Sequence, residues 1–417
     1  MKYIRLSAVF LSAVMLCFLL ELSTMLIPQK AIQKGAEKSA LYYRDKLLFQ
    51  EKVRGYKNTT VDYYADCILV NLIYEMDTES PVFSVLRAAY YDGENLDTDT
   101  DLLEAVFNGR EANVSYGRYW HGSMIYLRPL LVFTDIKGIY LFLRMILIIG
   151  VVLDAGWMLY KREIRAAVCF LSAFVFTGGF WMSACIEYVN VMLLALCMIP
   201  LFLRAKEKGF EALYCLCVVD GVLTCFFDFL TAETLTITLP LLCVLCAGES
   251  TSPAQPKRRE IPGVAVGGLV SWGMSYAGMF LVKWMLCGLS AGGDSVPDAF
   301  GRAGVYMQGS PLSAVMRNIE MLFPVPEGTS EIVLQACAVA WLILLVAVTV
   351  FLFWCLSAGQ AAAFVMLAAV PYVRFLFLSG HSIKHCFFTY RAQMATLFML
   401  AAAISEGVRH RTERKRS

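Results

Sequence analysis

The chain has 417 residues, of which 58% are hydrophobic, and its mean hydropathy is +0.60. This exceeds the apolar fraction of soluble domains and supplies several runs long enough to span a bilayer, which excludes a soluble enzyme or binding module. The net charge of +2 gives no reason to expect nucleic acid as a partner. We expect an all-α, polytopic membrane protein in contact with membrane lipids.

The first apolar run, Leu6–Ile27, follows Lys2 and Arg5. It is longer than the apolar core of a typical signal peptide, and no small-residue cleavage site follows it. We therefore interpret residues 1–27 as an uncleaved first transmembrane helix whose N-terminus faces the cytoplasm.

Nine further apolar runs bring the predicted number of spans to ten. They lie at residues 136–160, 166–184, 187–204, 211–228, 232–247, 261–287, 331–355, 361–378 and 386–406. Spans 2–7 thus occupy residues 136–287, and spans 8–10 occupy residues 331–407. Four basic clusters alternate with the spans as the positive-inside rule requires, at Lys161–Arg165, Arg204–Lys208, Lys257–Arg259 and Arg409–Arg416. The rule places both termini, including a basic tail at 408–417, in the cytoplasm.

Two longer polar segments fall on the opposite side of the predicted membrane. Residues 28–135 form a large first extracytoplasmic loop, in which we expect membrane-parallel helices. Residues 288–330 form a second loop that Gly and Pro interrupt repeatedly, so we expect no long helix there beyond a helical patch near Val315–Leu322.

The first loop contains two acids one helical turn apart, Asp62 and Asp66, on the same face as Leu69, Val70 and Ile73. A carboxylate beside an apolar surface can have a raised pKa and act as a general base. We name Asp66, and secondarily Asp62, as candidate catalytic residues. The alternative is a helix on the membrane whose acids are solvated or cap a turn.

Later in this loop, Ser115–Phe133 interleaves Arg118, His121 and Arg128 with aromatic and apolar residues. The pattern predicts an amphipathic interfacial helix, on which two arginines can hold a phosphate. Anchoring of the aromatic belt, with the arginines reaching lipid headgroups, explains the pattern equally well.

Ionisable groups also lie at the predicted outer ends of spans, at Glu187, Asp228 and Glu233. Such groups are costly at membrane depth and are usually paired or functional, so each is a candidate to line a substrate cavity. We assign Asp228 to substrate or lipid-phosphate binding.

The segment Ser379–Arg391 carries two histidines four residues apart. His381 and His385, with His121 from the first loop, offer three nitrogen ligands to a metal, but this spacing alone is a weak pattern. We favour a cationic phosphate-binding cluster of His381, Lys384, His385 and Arg391, and we expect no metal.

These features resemble the GT-C class of integral membrane glycosyltransferases. The resemblance rests on the many spans and long first external loop, and on strings shared with uncharacterised bacterial membrane proteins. The strings are Tyr64–Asp66, Arg118–Gly122, Arg128–Leu131, Phe227–Thr231 and Phe387–Arg391.

The resemblance implies sugar transfer from a polyprenyl-phosphate-linked donor to an envelope glycan, lipid or protein, on the extracytoplasmic face of the bacterial cytoplasmic membrane. It also implies an acidic base in the first loop. Members of the class often carry an acid directly after the first span, where this chain has Pro28, Gln29 and Lys30. Asp66 is our substitute for it.

Two other functions remain open at this stage. A transporter or flippase of an envelope precursor needs a polar site within the membrane, and Asp220 beside Gly221 is the best candidate for one. A scaffold for envelope assembly that keeps the fold without catalysis agrees with the missing acid after the first span.

Overall fold

The computed structural model describes residues 2–94, 97–247, 261–290 and 295–414. The predicted basic cluster Lys257–Arg259, together with Lys415 and Arg416 of the predicted tail, lies outside the described residues. Within the described ranges the regular structure is almost entirely helical. The exception is a two-stranded antiparallel ribbon of β1 (Ala89–Tyr90) and β2 (Val114–Ser115).

Eight helical runs in the described part of the chain are long and apolar enough to cross a membrane. They are α1 (Lys2–Ser23), α7 (Ile136–Tyr160), α9 (Ile186–Lys208), α10 (Phe210–Phe227), α12 (Ile261–Ser290), α15 (Glu331–Cys355), α16 (Ala358–Phe377) and the run from α18 (Cys386–Thr389) into α19 (Met394–Arg414). In α15, only 17% of the most apolar stretch is buried inside the protein. Apolar surface of this extent requires lipid around it, which indicates a multi-pass membrane protein.

The two remaining predicted spans, 166–184 and 232–247, coincide with shorter apolar helices, α8 (Ile164–Phe176) and α11 (Leu235–Cys246). After α8 the chain turns at Gly178, whose φ is +63°, and continues as a 3-10 helix over Gly179–Ala184. The 12 residues of α11 measure about 18 Å, less than the roughly 30 Å of a hydrocarbon core. The total of ten spans therefore stays a prediction.

Five helices lie in residues 28–135: α2 (Gln29–Arg44), α3 (Tyr63–Glu75), α4 (Pro81–Arg87), α5 (Thr98–Asn108) and α6 (Met124–Phe133). The predicted helix over Ser115–Phe133 is wrong in its first half, because helix begins only at Met124. The preceding turns approach another segment too closely for a helix. The Gly122 amide donates to the Phe226 carbonyl at 2.9 Å, and a Cβ at Gly122 would lie 2.6 Å from that oxygen.

The second loop is more regular than expected. It contains α14 (Pro311–Glu320), which overlaps the predicted helical patch, and also α13 (Ser295–Met307), which we did not expect. The helix α13 includes Gly301 and Gly304, but Asp298, Arg302 and Tyr306 recur at the four-residue spacing of one helical face. A further short helix, α17 (Ser379–Lys384), follows α16.

The first and second loops meet on one side of the helix bundle, which we call the loop face. The Glu327 amide of the second loop donates to the Gly55 carbonyl of the first at 2.7 Å. Arg118 of the first loop forms an ion pair with Asp298 of α13 at 2.9 Å. The loop face is therefore built jointly by residues that are far apart in sequence.

Close packing of α10 against α12 depends on Gly221. A Cβ at this position would lie 2.3 Å from the Trp272 carbonyl oxygen and 2.2 Å from the Ser275 hydroxyl oxygen. The Trp272 oxygen belongs to the backbone, so it cannot yield without moving α12. This contact fixes the distance between the two spans.

We predict that Gly221→Ala lowers the free energy of unfolding by about 1–3 kcal/mol, because the added methyl overpacks the α10–α12 contact. The control is Gly156→Ala in α7, where an added Cβ has no described atom within 4 Å. Alanine there is expected to be neutral or stabilising by up to about 1 kcal/mol. Thermal unfolding in detergent, followed by tryptophan fluorescence, measures both. Equal melting temperatures would contradict the packing argument.

Candidate active site

Asp66 is completely buried and holds the start of α9. Its carboxylate accepts hydrogen bonds from the Tyr140 hydroxyl at 2.5 Å, the Ile186 amide at 3.1 Å and the Cys185 thiol at 3.4 Å. Tyr140 in turn contacts the Tyr43 hydroxyl at 2.7 Å. Burial raises the pKa of Asp66 to about 6, although the bonds from Tyr140 and Ile186 oppose the rise. This carboxylate therefore joins α2, α3, α7 and α9.

Asp62 lies one turn before Asp66 and faces a cavity. Its Oδ1 accepts from the Ala65 amide at 2.9 Å, which makes Asp62 the N-cap of α3. The same cavity is lined by Glu187, the second residue of α9, whose Oε2 has no hydrogen-bond partner among the described residues. Burial raises the pKa of Asp62 to about 7. Two carboxyl groups thus meet in one site.

The cavity has a volume of about 200 Å³, and we call it the polar cavity. Five of the predicted site residues line it: Asp62, Arg118, His381, Lys384 and His385. Its other charged residues are Glu187, for which a cavity position was predicted, and Arg302, which we did not predict. Its walls are completed by Tyr64, Ala65, Ile68, Leu69, Tyr90, Tyr116, Tyr119, Phe229, Tyr306 and Phe388.

Two arginines at the rim of the polar cavity share one carboxylate. Arg118 Nη1 lies 2.9 Å from Asp298 Oδ2, and Arg302 Nε lies 3.9 Å from Asp298 Oδ1. The Arg118 guanidinium also covers the Tyr116 ring, 4.2 Å from its centroid. Arg118 is only 12% exposed and is held in place, whereas Arg302 is 55% exposed and its ion pair is long. Both keep donors that an anion can accept from. The spacing of Asp298, Arg302 and Tyr306 along α13 was the sequence signal for this arrangement.

The two histidines of the polar cavity stack closely, with ring centroids 4.6 Å apart. Burial lowers the pKa of His385 to about 4 and also lowers that of His381. Both rings are therefore neutral at pH 7, and Lys384 carries the positive charge of α17. Within the described ranges, no three His, Cys, Asp or Glu side chains are grouped as a metal ion would require.

An apolar cavity of about 470 Å³ adjoins the polar cavity. The two cavities share four lining residues: Arg118, Tyr119, Arg302 and Tyr306. The apolar cavity extends between α12, α13 and α16 along side chains that include Trp272, Tyr276, Phe280, Trp284, Val370, Val373 and Phe377. A charged site thereby adjoins an apolar space bounded by α12, α13 and α16.

Two predicted phosphate ligands instead bind backbone carbonyls away from the polar cavity. Arg128 is buried and donates to the Ile27 carbonyl at 2.8 Å and to the Ile73 carbonyl at 2.8 Å. Arg391 is also buried and donates to the Asn58 carbonyl at 3.1 Å. These contacts give both arginines a structural role, because each joins segments that are distant in sequence.

His121 and Asp228 also lie outside the lining of the polar cavity. The His121 ring packs edge-on against Phe229 at 5.4 Å, and its Nδ1 lies 3.1 Å from the Tyr119 carbonyl. Phe229 and Tyr119 line the cavity, so His121 stands behind its wall. Asp228 accepts from the Thr231 amide at 3.1 Å and from the Thr231 hydroxyl, and burial raises its pKa to about 7. This carboxylate closes the turn between α10 and α11.

A buried ion pair that we did not predict lies in the wall of the apolar cavity and reaches a histidine of the polar cavity. Arg374 Nε lies 2.9 Å from Glu233 Oε1, and both side chains are 5% exposed. Arg374 also donates to the Ser382 hydroxyl at 2.8 Å and approaches His381 Nδ1 at 3.2 Å. The sequence signal for this ion pair was Arg374 within an otherwise apolar run, because charges within spans are usually paired or functional.

The raised pKa of Asp62 predicts that stability depends on pH. The folded chain holds the Asp62 proton more tightly than the unfolded chain, whose Asp pKa is about 4, so stability falls as pH rises from about 4 to about 7. Above that range Asp62 is deprotonated in both the folded and the unfolded chain, so stability no longer changes with pH through this group. Asp62→Asn removes the ionisation, so its melting temperature should fall less over this range. The control is Asp45→Asn at an exposed acid of the same loop. Parallel curves for native and Asp62→Asn proteins would contradict the prediction.

No protein-family model, curated protein or solved structure matches this chain. The helices establish its class: it is a helical, multi-pass membrane protein. The adjoining polar and apolar cavities are the features of the structure that bear most directly on its function.

Proposed function

We propose that this protein is a membrane glycosyltransferase of the GT-C type, which passes a sugar from a polyprenyl-phosphate-linked donor to an envelope glycan, lipid or protein. The observation that supports it most is the adjoining of the polar and apolar cavities at Arg118, Tyr119, Arg302 and Tyr306. A polyprenyl-phosphate sugar has the same division, with a charged, hydroxylated end joined to a long apolar chain.

In this proposal, the cations at the cavity junction stabilise the leaving phosphate. The acceptor hydroxyl oxygen forms a bond to the anomeric carbon of the sugar as the bond between that carbon and the phosphate oxygen breaks, and the bonding electrons leave as negative charge on the phosphate. Arg118 and Arg302 lie at the junction, and Lys384 lies in the polar cavity. Fixed cations placed where charge develops lower the barrier, because they need little reorganisation during the reaction. This scheme calls for no metal.

Asp62 is the acid best placed to serve as general base. A base must reach the acceptor hydroxyl whose proton it removes. Asp62 lines the polar cavity, whereas the carboxylate of Asp66 is occupied by hydrogen bonds at the start of α9. The raised pKa of Asp62 suits proton transfer near neutral pH. We therefore assign the base to Asp62 and a positioning role to Asp66.

We infer that the loop face is extracytoplasmic. The basic clusters of the sequence favour this orientation through the positive-inside rule. A bacterial cytoplasmic membrane with the acceptor in the envelope is the setting that agrees with it.

We predict that Asp62→Asn loses at least about 100-fold of the transfer rate, the usual contribution of a general base. Mass spectrometry of envelope glycans should show one sugar missing both in a deletion strain and in cells carrying Asp62→Asn. In isolated membranes, native transfer should rise with pH and level off above about 7, because only the deprotonated base is active.

Controls separate catalysis from folding when transfer is normalised to the amount of folded protein. Asp45→Asn, at an exposed acid of the same loop, should leave the glycans native. Asp66→Asn should reduce abundance, because it weakens the start of α9, and should keep measurable transfer per folded molecule. Native glycans in Asp62→Asn cells would refute the proposed base, and native glycans after deletion would refute the proposed transfer.

Transport of an envelope precursor is a second candidate, favoured by one buried acid. Asp220 in α10 is fully buried beside Thr224 and Thr236, and neither carboxylate oxygen has a hydrogen-bond partner at standard geometry among the described residues. Such groups often mark transport paths. In sealed vesicles, this function predicts precursor uptake that Asp220→Asn abolishes and Asp62→Asn preserves. Uptake lost in neither variant would remove the support.

A further inference from the structure

We propose that a groove on the loop face, separate from both cavities, binds a carbohydrate chain. The groove has a volume of about 650 Å³ and lies between residues 47–60 of the first loop, residues 321–327 of the second loop and the start of α18. We call it the outer groove. Its assignment as the acceptor site rests on the proposed function, whereas its binding of carbohydrate does not.

The outer groove and the polar cavity meet at a pair of stacked rings. Phe49 lines the groove and Tyr64 lines the cavity, and their rings are stacked with centroids 6.0 Å apart. The groove residue Phe387 meets Phe49 edge-on at 6.0 Å. Asp62 lies two residues before Tyr64 and two after Thr60, which lines the groove. A molecule in the groove thus lies against a ring that stacks on the wall of the cavity lined by the proposed base.

The chemistry of the outer groove matches a sugar ring. Phe49 is 50% exposed, although it lies outside the membrane-spanning helices. Charged side chains of both signs, Arg54, Lys57 and Glu327, surround the exposed rings. A pyranose presents apolar C–H faces that pack on aromatic rings and hydroxyl groups that pair with charged donors and acceptors. Exposed aromatic surface beside such groups is typical of a binding site.

The charges of the outer groove distinguish it from a lipid site. The apolar cavity between α12 and α16 already offers space for a hydrocarbon chain among the spans. The outer groove is bounded by the two polar loops and the start of α18, and the charges of both signs in those loops are costly to bury under hydrocarbon. A hydroxylated chain keeps those groups hydrogen-bonded, so carbohydrate is the favoured occupant.

The floor of the outer groove is held by backbone hydrogen bonds. The Lys52 amide donates to the Thr59 carbonyl at 3.2 Å, and the Val61 amide donates to the Gln50 carbonyl at 3.0 Å. The bond from the Glu327 amide to the Gly55 carbonyl closes the end toward the second loop. A groove formed in advance pays little ordering entropy when a ligand binds.

The test uses the full chain in lipid nanodiscs, which avoids sugar-based detergents. Saturation-transfer NMR is recorded with cellotetraose, chitotetraose and mannotetraose as probes. We expect at least one of them to bind. Phe49→Ala should weaken that binding about tenfold, and Phe49→Trp should retain it, because it keeps an aromatic face. The control is Phe107→Ala, at a phenylalanine of the same loop that is equally exposed, at 49%, and lies outside the groove.

The outcomes separate this proposal from the proposed function. Loss in Phe49→Ala, with Phe49→Trp and Phe107→Ala like the native chain, supports the outer groove even if no polyprenyl-phosphate binds elsewhere. Absence of binding to all three probes, or equal binding by native and Phe49→Ala proteins, would overturn it. Phe49-dependent binding of a hydrocarbon or peptide probe, without binding of any sugar, would also overturn it. That result would leave the proposal for the polar and apolar cavities unaffected.

Discussion

The carboxylate of Asp66 is the contact on which the loop face depends. A buried acid is costly unless donors surround it, and for Asp66 the donors are the Tyr140 hydroxyl and the first amide of α9. Those donors fix α3 against the end of a membrane-spanning helix. Asp62 lies one turn before Asp66, and Glu187 directly follows Ile186. The contact between Asp66 and Ile186 therefore brings Asp62 and Glu187 to the same cavity.

The buried arginines near this site meet the same need for hydrogen-bond partners in different ways. Arg128 and Arg391 satisfy their donors with backbone carbonyls, whereas Arg374 takes a carboxylate. Arg118 and Arg302 are different, since their shared partner Asp298 is itself partly exposed. The first three arginines use their donors to stabilise the fold. Arg118 and Arg302 keep donors that a ligand can use, and both lie where the two cavities meet.

The sequence was sufficient for the class of fold, because runs of apolar residues report directly on a lipid environment. It also placed Asp62 and Asp66 on one helical face, but it did not show which acid faces a cavity. That choice depends on where α9 begins, 120 residues later. The arginines were predicted as phosphate ligands from an amphipathic aromatic pattern and from a cationic cluster. Arg128 and Arg391 instead bind backbone carbonyls, which no local pattern reveals. Arg302 was missed because glycines suggested an irregular loop, although its four-residue spacing from Asp298 was visible.

The ion pair between Arg118 and Asp298 has a consequence for how this protein can diverge. The first loop contributes one arginine and the second loop contributes both the other arginine and the carboxylate that aligns them. Neither loop carries a complete site, so exchanging one of them between relatives would leave mismatched halves. The two loops must therefore change together, and a substitution in one loop persists only where it stays compatible with the ion pair to the other.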